Sequence, residues 1–151
     1  MSNHQAFWIH GTSVQMEREG YFISKRRAGY AAVFKTYGSE WFHFAVPTPV
    51  VLEGSYAKLT KVFVFFKTQG TAKITNVHVY SAGTKIYYQD NLSLSGDHSG
   101  QVDSSNSWAI TSTPVAGLGI GISVCVDFGS VSTGSVPEIW FTTAGADFET
   151  S

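Results

Sequence analysis

The sequence predicts an all-β protein: one antiparallel β-sandwich of jelly-roll type spanning residues 1–151 as a single domain. Three observations carry this. Leu118 to Phe128 alternates without a break, with Leu118, Ile120, Ile122, Val124 and Val126 on one side and Gly119, Gly121, Ser123, Cys125 and Asp127 on the other. Period-two alternation of branched apolar residues marks a half-buried strand. The composition is 43 % apolar and 15 % aromatic but only 14 % charged, a bias towards strand formers. Turn residues then divide the chain into roughly nine or ten short strands at intervals of about 10 to 15 residues, the spacing of a sandwich rather than of βαβ units. A closed β-barrel is the alternative architecture.

The elements follow in order. Ala6 to His10 reads as the first strand, closed by Gly11, and Val14 to Arg18 as a short second one. Tyr21–Ser24 and Gly29–Thr36 read as neighbouring strands joined by the Lys25-Arg26-Arg27 loop or hairpin edge. Glu40 to Val46 is a strong strand, stopped by Pro47 and Pro49, which have no N–H to give a ladder. Pro47 to Ser55 is an extended connection. Lys58 to Lys67 alternates Val62, Val64 and Phe66 with Phe63 and Phe65, so it is buried on both faces or carries an exposed aromatic one. Lys73–Tyr80 and Lys85–Asp90 form a hairpin around Ser81-Ala-Gly-Thr84. Asn91 to Ser107 is a polar loop with one short strand at Leu92–Leu94. Trp108–Thr111, the alternating stretch from Leu118, and Glu138–Thr143 complete the set; Ala144 to Asp147 after them is expected to pin the C-terminus, with Asp147 capping a turn or reaching the pocket.

Several function classes are disfavoured. A net charge of −1 gives no electrostatic pull towards nucleic acid or an anionic membrane. No apolar run approaches the roughly 20 residues of a spanning helix. Met1 to Gln5 lacks the basic and apolar regions of a secretory signal, so the expected location is cytoplasmic. Cys125 is the only cysteine, which excludes an internal disulfide and reads as a small packed hydrophobe. There is no phosphate loop, dinucleotide fingerprint or Gly-x-Ser-x-Gly elbow, and no cofactor is expected. His-x-His spacing with a matching Glu is absent, so no metal is expected either.

The candidate site comes from alternation. His43 shares a face with Trp41, and His78 shares one with Asn76 and Tyr80. If these faces meet beside the small-residue side of the Leu118 strand, they make a mostly aromatic pocket with a few polar groups. Trp108 is a further candidate ligand contact. Trp8, Trp41, Trp108 and Trp140 suit stacking on sugar rings when exposed, although core packing is the commoner use of Trp. In Leu94-Ser-Gly-Asp-His-Ser-Gly100, Asp97 and His98 stand adjacent between glycines, as a ligand contact at the pocket rim or a general acid–base pair. Turn chemistry explains the same residues without any function.

Trp8-Ile-His-Gly11, Trp41-Phe-His-Phe44, Thr75-Asn-Val-His-Val79, Leu92 to Gly100, Gly119 to Val124 and Thr142 to Phe148 resemble a family of small all-β bacterial and fungal proteins of unknown function. The resemblance covers most of the chain, with Glu17 to Arg27 matching least. It implies a β-sandwich and no particular activity.

Three readings follow. In the first, a sandwich binds a small molecule or carbohydrate against Trp41, His43, His78, Tyr80 and Trp108. In the second, a cofactor-free cyclase, isomerase or hydrolase uses Asp97 with His98, or His43 with His78, for proton transfer. In the third, a structural homo-oligomer packs its bare Gly119–Cys125 face on a second copy.

Overall fold

The computed structural model describes residues 3–49, 51–52, 54–111 and 118–150. Its strands are β1 (Asn3–His10), β2 (Gln15–Met16), β3 (Ser24–Arg27), β4 (Ala32–Lys35), β5 (Ser39–Val46), β6 (Val51–Leu52) and β7 (Ser55–Tyr56). They continue with β8 (Lys58–Gln69), β9 (Lys73–Ser81), β10 (Thr84–Gln89), β11 (Asp97–His98), β12 (Ser107–Ala109), β13 (Ile120–Asp127) and β14 (Glu138–Thr150). Every pairing is antiparallel. A seven-stranded sheet runs β11-β8-β14-β4-β3, with β1 also on β14 and β12 also on β8. A five-stranded sheet runs β10-β9-β13-β5-β2. The sheets stay separate, so the architecture is a sandwich and not a closed barrel.

Alternation explains the layering. Val62, Val64 and Phe66 of β8 and Phe141, Ala144, Ala146 and Phe148 of β14 turn inward from the first sheet. They share one core with Phe42 and Phe44 of β5, Val77 and Val79 of β9, and Ile120, Ile122, Val124 and Val126 of β13. Ring contacts such as Phe34–Phe42 at 4.9 Å and Phe42–Phe141 at 5.0 Å lie in this core. Each such Val, Ile or Phe contributes roughly 1.5–3 kcal/mol of apolar burial. As read from the sequence, β13 is the central strand of its sheet, with Ile120, Ile122, Val124 and Val126 inward; Leu118, expected on the same side, instead precedes the strand and is exposed.

Several expectations change. Lys25, Arg26 and Arg27 form the exposed strand β3 rather than a loop. Charges on an edge strand block pairing with another chain, so the run fits there. Tyr21 belongs to a 3-10 turn, Glu19–Tyr21, and not to a strand. The Pro47–Ser55 connection contains the small β6–β7 ribbon; Val50 and Glu53 within it lie outside the described residues. In the polar loop, Leu94 makes a single bridge to Ile74, while Asp97–His98 is the segment that pairs with β8. β14 runs through Ala144–Asp147 to Thr150, because Ala144, Ala146 and Phe148 continue its inward alternation. Among the described residues, no helix is long and apolar enough to cross a membrane.

Candidate functional site

The outer face of the five-stranded sheet carries a groove of about 760 Å³. Its floor is Gly121 and Ser123, on the small-residue side of β13, with Gly119 just ahead of the strand. Trp41 and His43 of β5 stand on one bank, and His78 and Tyr80 of β9 on the other. Register puts them there. Ser123 pairs with both His43 and His78, Gly121 with Ala45 and Tyr80, and Cys125 with Trp41 and Asn76. Adjacent strands lie about 4.8 Å apart, so β5 and β9 are separated by about twice that. The indole of Trp41 nonetheless reaches across β13 to within 4.9 Å of the His78 ring, centroid to centroid. Only small residues between them leave that path open. A Cβ added at Gly121 would meet nothing nearer than the Phe44 carbonyl oxygen at 3.9 Å.

Each of the two groove histidines is held by a carboxylate. The His78 Nε2–H donates to Asp90 Oδ1 at 2.8 Å, and the Asn76 amide donates to the same oxygen at 2.6 Å. These bonds, led by the one from His78, hold the Asp90 carboxyl below its ordinary range. A carboxylate on Nε2 fixes the proton there and leaves Nδ1 as an acceptor. Among the described residues, His78 Nδ1 has no hydrogen-bond partner. On the other bank His43 Nε2 donates to Glu17 Oε1 at 3.0 Å, and the Ser123 hydroxyl donates to His43 Nδ1 at 2.7 Å. One row across the sheet therefore reads Tyr88, His78, Ser123, His43, Gln15.

The remaining candidates lie elsewhere. Trp108 is not in the groove: it is 8 % exposed, sits on β12 of the other sheet and packs into the core. The Asp97–His98 segment is not at the groove's rim either, because β11 pairs with β8 in the seven-stranded sheet. Nor do these two residues pair with each other. Asp97 accepts from the Ser99 hydroxyl and amide, which lower its pKa. His98 donates from Nδ1 to Asp103 at 2.8 Å and from Nε2 to the Ser95 carbonyl at 2.8 Å. Burial works against its charge, but two acceptors on its two nitrogens outweigh burial and raise its pKa. His98 is thus a brace of its own loop. Cys125 is buried, and burial pushes its thiol up, which suits packing rather than nucleophilic chemistry. Among the described residues, no three His, Cys, Asp or Glu gather as a metal site.

Sequence reading missed Glu17, Asp90 and the hydroxyl of Ser123. Glu17 follows β2, a two-residue strand whose pairing with β5 is not visible in local alternation. Asp90 follows β10, and a bulge between Lys85 and Tyr87 sets its position opposite β9. Ser123 was visible only as a small residue; its place beside His43 follows from the β13–β5 register.

The chain matches the family of unknown function DUF6623 over residues 2–149 and belongs to it. No curated protein matches the chain. Similar solved structures include the carbohydrate-binding module TmCBM61 in complex with β-1,4-galactotriose. It is 15 % identical with a TM-score of 0.44, covering 99 % of this chain and 87 % of that one. Another is a mutant of CBM29-2, a family 29 carbohydrate-binding module, 10 % identical with a TM-score of 0.43, covering 97 % and 92 %. Similarity at this level carries no ligand and no residue role to this chain.

Proposed function

We propose that the groove on the five-stranded sheet binds a small polyhydroxylated molecule, a carbohydrate above all. The observation behind this is one arrangement: aromatic and imidazole side chains on two banks over a floor of Gly119, Gly121 and Ser123. A sugar ring presents apolar C–H faces and polar hydroxyl edges. Trp41 and Tyr80 offer rings to the former. For the latter, His78 Nδ1 accepts from a hydroxyl, and the Gln15 amide and Tyr80 hydroxyl donate. Carboxylates fix both imidazoles in advance, so less freedom is lost on binding. The groove's volume lies in the usual range of small-ligand sites, about 300–1,000 Å³.

The test is a panel of neutral and acidic oligosaccharides screened by array and confirmed by titration calorimetry, beside native mass spectrometry of the protein as purified. Binding that Trp41→Ala weakens by about thirtyfold, with the circular dichroism spectrum unchanged, supports the proposal. Absence of both a retained molecule and any glycan binding at millimolar concentration rejects it.

A further inference from the structure

We infer that the same groove holds an esterase centre, with Ser123 as nucleophile, His43 as general base and Glu17 as the residue that positions the base. The inference shares its groove with the binding reading but stands on different contacts. Nucleophilic catalysis requires a hydroxyl within hydrogen-bond reach of a base, and a third group orienting that base. Here the Ser123 hydroxyl lies 2.7 Å from His43 Nδ1, and Glu17 Oε1 lies 3.0 Å from His43 Nε2. The three residues come from β13, β5 and the turn after β2, so no local sequence motif announces them. The carboxylate fixes the proton on Nε2, which leaves the Nδ1 lone pair facing the hydroxyl.

The substrate class follows from the surroundings. Ser123 is 7 % exposed at the groove floor, and Gly121, two residues away on the same face, leaves open space beside it for an acyl group. Mid-strand amides of β13 are committed to β5 and β9. Donors for an oxyanion must therefore be side chains, and the Gln15 amide and Tyr80 hydroxyl line the same groove. Without a preformed pair of backbone donors the centre suits esters, whose leaving groups depart easily, rather than amides. We assign it the O-acyl esters of hydroxylated small molecules, acylated sugars included.

In the reaction, Ser123 Oγ bonds to the carbonyl carbon while its proton passes to His43 Nδ1. The ester C–O bond breaks, and the departing alcohol oxygen takes that proton. Water then attacks the acyl-serine, gives its proton to Nδ1, and releases the carboxylic acid as Ser123 recovers its hydrogen.

The experiment uses the full chain with an alkyl fluorophosphonate and with p-nitrophenyl acetate. The expected result is one phosphonyl group per chain, mapped to Ser123, and a burst of p-nitrophenol equal to the protein concentration. Ser123→Ala abolishes both. Glu17→Gln slows labelling by about tenfold, the modest share expected of a half-exposed carboxylate beside a general base worth about 10²–10⁴. Added formate restores the rate of Glu17→Ala, which a merely structural role would not allow. A natively folded protein that takes no label at Ser123, or hydrolyses the ester equally well as Ser123→Ala, overturns the inference. Glycan binding without label overturns it alone, whereas label without any glycan binding overturns only the binding reading.

Discussion

The two outer faces of the sandwich both carry aromatic residues, and they treat them in opposite ways. On the seven-stranded sheet, Phe63 and Phe65 of β8 point outward yet are only 4 % and 8 % exposed. Trp8 of β1 lies over them, at 4.7 Å and 5.4 Å between ring centroids. Farther along, Trp140 is flanked by Tyr30 at 5.2 Å and by Lys67 Nζ at 4.7 Å. This face satisfies itself. On the five-stranded sheet, Trp41 crosses β13 to meet His78, and the space above Gly121 beside them is left open. Glycine marks the difference. A Cβ at Gly145 would fall 2.7 Å from Trp8 Cδ2 and 2.7 Å from the Phe7 carbonyl oxygen, so this glycine seats the protein's own indole. Gly121 seats nothing of the protein's own. An outward glycine therefore marks packing in one sheet and open space in the other.

The largest expected effect breaks the sealed face. Gly145→Ala forces Trp8 or the β1 backbone to move and should cost about 2–3 kcal/mol, an overpacking penalty. Gly121→Ala has no such clash and should stay within about 1 kcal/mol of the parent, because alanine also restricts the unfolded chain. Guanidinium unfolding of both variants checks the pair. Equal losses would mean the two faces do not differ as described.

Next come the two indoles. Trp8→Ala uncovers Phe63 and Phe65 and should lose about 2 kcal/mol of stability, below the full cost of a buried Trp because Trp8 is 42 % exposed. Trp41→Ala should lose less than that in unfolding but weaken glycan binding by about thirtyfold, or roughly 2 kcal/mol, as expected of an aromatic anchor. Calorimetry and unfolding on the same two proteins separate the roles. A Trp41→Ala variant as destabilised as Trp8→Ala would make Trp41 a packing residue.

The sequence disclosed one of these faces better than the other. Alternation alone grouped Trp41 with His43 and His78 with Tyr80 on shared faces, and it pointed to the small-residue side of the Leu118–Phe128 stretch as the surface beside them. That worked because every bank residue lies on a long strand with an unbroken period of two. Trp108 misled for the same reason in reverse: on β12, a three-residue strand, too few neighbours alternate to tell inside from outside. Phe63 and Phe65 left two possibilities open, and the cover that decides between them comes from β1, far away in sequence. Glu17 and Asp90 were invisible because each follows a strand whose pairing or bulge is fixed only by tertiary register. Adjacency in sequence likewise suggested Asp97 with His98, whereas alternation on β11 sends them to opposite sides and the loop brings Asp103 back instead.

The smallest expected effect compares the imidazole–carboxylate pairs of the two sheets. Among the described residues His78 Nδ1 has no hydrogen-bond partner, whereas His98 uses both nitrogens within the protein. Only the second pair should therefore act mainly on stability. Burial opposes the charge of both its members, but their mutual hydrogen bond prevails, so His98 is raised above 6.5 and Asp103 lowered below 3.8. The raised His98 contributes fully below pH 6.5, and its share fades as pH rises through the shifted value. The lowered Asp103 contributes fully above pH 3.8, and its share fades as pH falls through its own shifted value. The stability difference between the parent and His98→Gln should then be widest between these limits and, for a partly exposed pair, no more than about 1 kcal/mol. Thermal unfolding from pH 3 to 9 checks the profile. A difference that grows above pH 6.5 would mean that neutral His98 is the stabilising form. His78→Gln should lose less stability than His98→Gln, a loss that fades as pH falls through the lowered Asp90 value, while glycan affinity drops because the ring's free acceptor is gone.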